Sequence, residues 1–547
     1  MRMFTAQQVA WVLQHSSTSR LMQPIDVLGK FDRYQASLGI EQAAKWVAEA
    51  AQQRDLRQVE TLHFPADGKQ HWWHFTAPLA WTPLQAWLHV PAADNLLIDH
   101  QQHAFAIATY SCAVNQQHFT LATPEESEWQ GKVLVIPSEQ YRQQDWPLLL
   151  AQAGAAGFIT DAPACHDRQT NVSFRGRIEL PPGSSLFAFS ATPEEMRHLE
   201  TAARRHCCAQ AEIYLDHTAA MPVVTACLPG CDTTHEIWLT AHLCHSRAGA
   251  NDNASGISAL LETAALISQL QKNDASPPLR YTLRFIWGPE FLGVAALQHH
   301  YRHRPAPLAV INLDMVGENQ TLCGSPLCIE HPPQRLSSSL GLLAEECAAE
   351  AFLQTADSGG KWLSIPFHGF SDHALFMNHS DHSRNSPAIQ ICHIGDRFNH
   401  TAGDTSDKVS PVEMKRTLAI VVPLLLKLQQ QRPEYIAPKP PATRPIDDGL
   451  YGHWPGPLNL RGLIQALPPA LRYPLERHLA QDKRYLAALH HCVLNADGRS
   501  WPQIVEATNK ELGFILPANV DESFRNALLA SSWFTTNAKQ AGIDEER

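Results

Sequence analysis

Residues 236–262 read EIWLTAHLCHSRAGANDNASGISALLE, and this stretch decides the fold. EIWLTAHL (236–243) has the apolar run of a buried strand, and SGISALLETAALISQLQ (255–271) the pattern of a helix. The strand's end carries His242, the loop after it Cys244 and His245, and the polar run Asn251-Asp252-Asn253-Ala254-Ser255-Gly256 leads into the helix. Strand, loop and helix in this order form the opening unit of an α/β domain. In open α/β sheets, ligands collect at the carboxyl ends of the strands.

Working outward, LRYTLRFIW (279–287), LAVINLDMV (308–316) and AIQICHI (388–394) read as further strands. LSSSLGLLAEECAAEAFL (336–353) and PVEMKRTLAIVVPLLLKLQQQ (411–431) read as helices. The alternation predicts a largely parallel sheet with helices on both faces. Polar residues follow each strand: Gly288-Pro289-Glu290 after the second, Asp314 at the end of the third, and Asp396-Arg397-Phe398-Asn399-His400-Thr401 after the fourth. Imidazoles and carboxylates at one sheet edge are the N and O ligands that zinc takes, with one position left open in a catalytic site. Each group alone has a bland reading. A lone histidine is a satisfied polar group at a strand end, NDNASG an Asx turn with an N-cap, Glu290 a first-turn acid, Asp314 a turn cap. Their joint occurrence favours a site.

Residues 1–90 open with helical patterning, and FDRYQASLGIEQAAKWVAEAAQQRDL (31–56) sets Ile40, Ala43, Ala44, Val47 and Ala51 on one helix face. HWWHF (71–75) and LQAWLHV (84–90) look extended. Between 91 and 221, GKVLVIPSE, WPLLLAQAGAAGF and GFITD read as strand, helix and strand of a small α/β module. PEYIAPKPPATRPIDD (433–448) is dense in proline and marks a linker over 436–455. Residues 456–547 read as a helical module with a wing. The expected order is therefore a main α/β domain from 1–90 and 222–435, an insert at 91–221, the linker and the C-terminal module.

The length of 547 residues suits about three domains. Charged residues are 18% and the net charge is −11, with no long basic run, which argues against a nucleic-acid or anionic-membrane surface. Residues 451–547 hold ten Lys/Arg and ten Asp/Glu, so the tail lacks the basic face of a DNA reader. The twelve cysteines are expected to stay reduced, in the cytoplasm. Cys207-Cys208 and Cys323/Cys328 lack zinc-ribbon spacing and read as buried thiols.

Five motifs together resemble one family. HLCHSRAGANDNASGISALLE, RFIWGPEFLG, INLDMVG, SDHALF and FNHTAGDTSDKVSP are similar, in order, to the motifs of the co-catalytic zinc aminopeptidases, the group that includes glutaminyl cyclases and glutamate carboxypeptidases. The resemblance covers roughly 222–430. It implies a three-layer αβα zinc-peptidase domain in which His242 and Asp314 hold one zinc, Asp252 bridges, and His400 serves the second position. Glu290 would be the general base. GKVLVIPSEQ, LAQAGAAGFITD and FAFSATPEEMRHL resemble a protease-associated insert, and the tail resembles a winged-helix-like segment of an intracellular branch.

Two positions depart from the family pattern. Phe291 stands where a second glutamate would bind metal, and Cys244 stands where an acidic residue would orient the first histidine. His245 or Cys244 is the substitute ligand, and one tightly held zinc with a weak second is expected. Asp372 and His373 stand either as groups behind the ligands or on substrate, or as a helix start capped by Ser371. The implied activity is removal of an N-terminal residue from a peptide or peptide-like small molecule. An amide or acyl hydrolase, a cyclase-like transferase and a catalytically dead scaffold are the alternatives. No nucleic-acid or membrane partner is expected, and homo-oligomerisation is left open.

Overall fold

The computed structural model describes residues 4–273, 276–336, 338–437 and 449–536. Eight strands form a central sheet: β1 (Arg57–Phe64), β2 (Met221–Leu228), β3 (Asp232–His242), β4 (Tyr281–Gly288), β5 (Ala309–Asp314), β6 (Leu327–Glu330), β7 (Trp362–Ile365) and β8 (Ala388–His393). Their spatial order is β1-β2-β4-β3-β5-β8-β6-β7. The four middle strands run parallel. β6–β7 is parallel too, while β1–β2, β2–β4 and β8–β6 pair antiparallel, so four of the seven neighbouring pairs are parallel in a mixed sheet. β1, β2, β6 and β7 went unread in the sequence, being short or lacking a polar motif at their ends.

Side chains alternate across the sheet, as the pleat requires. On β3, Ile237, Leu239 and Ala241 enter one core and Trp238 the other. The first core holds helices α1 (Thr5–His15), α2 (Thr18–Leu28), α3 (Leu38–Gln52), α4 (Gly256–Lys272), α6 (Leu340–Gln354) and α7 (Pro411–Leu428). The second holds α5 (Leu292–His300) and the turn Asp372–Phe376. The face of α3 expected to be apolar is buried at Ile40, Ala43, Ala44, Val47 and Ala51. Helix α4 is buried on nearly all sides, and its buried Glu262 is matched by Arg20 at 2.7 Å.

A second sheet of seven strands lies between β1 and β2 in the chain, with a helix at Pro193–Arg204 and its own cores. Its strands include Val133–Ile136 and Gly157–Thr160, where the sequence placed them. Thr82–Val90, assigned from the sequence to the main domain, pairs with Cys208–Asp216 in this second sheet. The crossover therefore precedes residue 82 instead of falling at 91. An alternating strand carries no mark of which sheet it joins.

Residues 450–535 form five helices and a three-stranded sheet, Leu450–Gly452, Asp497–Arg499 and Phe534–Thr535, around a separate core. Most of the Pro-rich linker, 438–448, lies outside the described residues. No helix among the described residues is long and apolar enough to cross a membrane. Cys323 and Cys328 are buried as read, whereas Cys207 is half-buried and Cys208 exposed.

Candidate metal centre

The parallel strands deliver their carboxyl ends to one edge, and the sequence-predicted groups meet there. His242 ends β3, Glu290 follows β4, Asp314 ends β5, and His400 lies in the loop after β8. The run 250–256 divides its labour by position. Asn251 Oδ1 accepts the N–H of Gly317, Asn253 Oδ1 accepts that of Met315, and Ser255 Oγ accepts that of Val316. These side chains latch the loop to the end of β5, as the Asx-turn reading anticipates. Gly256 permits the close approach, since a Cβ there would sit 2.3 Å from the Leu313 carbonyl oxygen. Asp252 is left to face the three histidines.

Asp252 is the hub. His242 Nε2 lies 3.0 Å from its Oδ1, and His245 Nε2 and His400 Nε2 lie 3.3 and 3.2 Å from its Oδ2. His242 Nε2 is also 3.2 Å from Asp314 Oδ1. Two ligand-type triads result: His242, Glu290 and Asp314, and His245, Asp252 and His400, with the donor atoms of each within 4.8 Å of one another. Asp252 Oδ1 and His245 Nε2 are buried, yet neither makes a hydrogen bond of acceptable geometry. Buried polar atoms that converge without bonding one another are what a cation would satisfy. The donor set of imidazoles and carboxylates fits zinc.

The electrostatics agree. Burial opposes a charge on Asp252, but the imidazoles of His245, His242 and His400 hold its pKa well below the usual range. Burial disfavours charge on His242 too, and Asp314 and Asp252 overcome it and push its pKa up. His245 goes the other way: burial lowers it more than Asp252 raises it, keeping it in the neutral form that binds metal. Glu290 is raised, chiefly by burial and then by Asp314 and Asp252 against His242, which suits a proton acceptor near neutral pH.

The departures have local consequences. Cys244 Sγ sits 4.0 Å from His242 Nδ1 and accepts the N–H of Glu290 at 3.1 Å, while His242 Nδ1 meets the Cys244 carbonyl oxygen at 3.1 Å. The thiol thus braces the base's backbone from behind the histidine. Phe291 adopts φ +57, a strained region for an aromatic residue. Its N–H donates to Asp372 Oδ1 at 2.6 Å. Asp372 is therefore at the site, its pKa pushed up to about 8 by burial and Glu290. His373 is not: its Nε2 meets Glu330 Oε1 at 2.7 Å and its ring stands edge-on to Phe367. Adjacent residues on a tight turn point apart, and the motif's spelling does not say which faces inward.

Five further residues support the centre. Arg33, fully buried, donates to the carbonyl oxygens of Leu243 and Gly249 and holds the His245 loop. Asp404 accepts the N–H groups of Asn251 and Asp252 at 2.7 and 3.0 Å, so it fixes the loop. From the second sheet's segment, Phe105 packs edge-on against His245 at 5.8 Å, and the Arg177 N–H donates to the His400 carbonyl oxygen. From the C-terminal module, the Arg461 guanidinium lies over the Phe291 ring at 5.6 Å. Asp404 lies within the motif FNHTAGDTSDKVSP, whereas long-range packing alone brings the other four to the edge.

Among solved structures, the chain is similar to a Clostridium acetobutylicum protein at 13% identity and TM-score 0.55, covering 97% of this chain and 99% of that one. It is similar to a zinc aminopeptidase from Bacillus subtilis at 16% identity and TM-score 0.53, covering 78% and 99%. A peptidase M28 precursor from Shewanella amazonensis gives 15% identity and TM-score 0.55, covering 80% and 99%. At such identities the likeness establishes the fold alone. No curated protein matches the chain. Residues 223–425, which hold every group of the centre, match peptidase family M28. The family match thus spans the α/β segment that carries the centre.

Proposed function

We propose that this domain is a zinc-dependent aminopeptidase that removes the N-terminal residue of a peptide or peptide-like small molecule. The observation that carries the reading is the pair of ligand triads meeting at Asp252 beside a raised Glu290. His242, Asp314 and Asp252 would hold one zinc. His245, Asp252 and His400 would hold a second, with His245 in place of the carboxylate missing at Phe291. Bound zinc supplies Lewis acidity and a water acidified toward pKa ~7. Glu290 takes the proton of the attacking water and returns it to the leaving amine. Asp372 and Cys244 fix the backbone on either side of Glu290 through the N–H groups of Phe291 and Glu290 itself. The carboxylates gathered at the edge receive the substrate's free α-amine, which restricts cleavage to the terminus.

The same proposal takes the insert, which includes Thr82–Val90, as protease-associated-like, walling the site through Phe105 and Arg177. It takes 456–547 as a winged-helix-like module closing the other side through Arg461. A cytoplasmic setting suits the exposed thiols of Cys208 and Cys231.

Phe291 keeps a second reading in view, an amide or acyl hydrolase or cyclase-like transferase, because an altered ligand set accompanies altered chemistry. Dipeptide amides set against their N-acylated analogues separate the two. Turnover of free-amine substrates, lost with chelator and restored by zinc, is the expected result. Turnover of blocked substrates alone overturns the aminopeptidase reading.

A further inference from the structure

A third group of ligand-type side chains lies outside this centre. Glu318, Cys323 and Asp396 each present a donor atom within 4.8 Å of the other two. They come from separate segments: Glu318 four residues beyond β5, Cys323 at the end of the turn Gln320–Cys323, and Asp396 in the loop leading to His400. Glu318 and Cys323 are buried. Asn251 Nδ2 lies 3.4 Å from Glu318 Oε2 and 3.5 Å from Asp396 Oδ2, one weak donor between the two carboxyls, and Asp396 Oδ1 also accepts the Phe398 N–H at 2.7 Å. Glu318 is wholly buried, faces Asp396 and Cys323, and keeps Oε1 without a hydrogen-bond partner among the described residues. The nearby Lys408 ammonium is engaged by Asp407.

Acidic groups packed this closely away from water must either take up protons or share a cation. Left without a cation, Glu318 has its pKa pushed up to about 10 by burial and by Asp396. We propose that Glu318, Cys323 and Asp396 bind a zinc-class divalent cation, distinct from the catalytic centre, that ties the segment carrying Asp252 to the segment carrying His400. The thiol selects the class: Ca²⁺ and Mg²⁺ take oxygen ligands, whereas zinc accepts thiolate and carboxylate together. Zinc bonds of about 2.0–2.3 Å set donors roughly 3.5 Å apart, so side-chain rotation suffices to close the group. Through Asn251 the ion would brace the residue next to Asp252, and through Asp396 the loop of His400.

The test is cobalt substitution of the full-length protein, in which a thiolate ligand gives a near-ultraviolet charge-transfer band. The expected result is a band in wild type and in Cys244→Ser that Cys323→Ser abolishes, together with one metal ion fewer per chain by elemental analysis. Cys244 is the control because its thiol lies at the catalytic centre. If Cys323→Ser does not fold, Glu318→Gln and the wild-type and Cys244→Ser spectra carry the decision. No band in wild type, or a band that disappears with Cys244→Ser or survives Cys323→Ser at full intensity, overturns the site and leaves Glu318 and Asp396 sharing a proton. Neither readout depends on peptidase activity, so the aminopeptidase reading can fail while this one stands.

Discussion

His245→Ala tests the replacement of the missing carboxylate. His245 is one of three protein donors in its triad, with Asp252 and His400. A zinc held by four ligands in a small protein site gains about 10–16 kcal/mol, or roughly 2.5–4 kcal/mol per donor. At 1.4 kcal/mol per tenfold, losing one donor weakens binding by about 10²–10³-fold. Asp252 would keep its contacts with His242 and His400, so the first zinc should stay. The assay is equilibrium dialysis against zinc buffers with elemental analysis. Wild type is expected to show two catalytic-centre ions of differing affinity, the weaker lost in His245→Ala at zinc levels that saturate wild type. His245→Ala binding both ions with unchanged affinity would refute the reasoning. Loss in Cys244→Ser instead would move the substitute ligand to the thiol.

Glu290→Gln should keep its zinc and lose about 10²–10⁴-fold in kcat, since only the proton transfer is removed; loss of zinc with the activity would make Glu290 a ligand. Burial raises the Glu290 pKa and Arg461 offsets a small part of that rise, so Arg461→Ala should move the acid limb of kcat/KM to higher pH, and an unmoved limb would detach the C-terminal module from the base. Glu330 has a pKa of about 2: burial would raise it, but His373 and the N–H groups of His368 and Gly369 hold it down. Its contribution to stability is complete above the unfolded value near 4.5 and disappears as pH falls toward 2. Glu330→Gln should cost about 3–5 kcal/mol at neutral pH by leaving His373 unpaired. Urea unfolding at pH 7 reads the loss, and a midpoint unchanged from wild type would show the pair to be dispensable.

The sequence determined the parallel heart of the fold and the strand-end positions of His242, Glu290, Asp314 and His400. Buried strands must be apolar on both faces, so any polar residue they carry is displaced to their ends, where ligands bind. It also spelled out both departures, Phe291 and Cys244. What it could not decide were choices between neighbours in the chain. Asp372 faces the site while His373 turns to Glu330, and Asp252 faces inward while Asn251 and Asn253 grip β5. The sheet joined by Thr82–Val90 was equally hidden. Such choices rest on backbone dihedrals and on partners far away in the chain, which local pattern does not encode. Only the tertiary structure brings His245 onto Asp252, aims Arg33 and Phe105 at its loop, and gathers Glu318, Cys323 and Asp396. Periodicity records what each segment buries, but packing decides what it meets there.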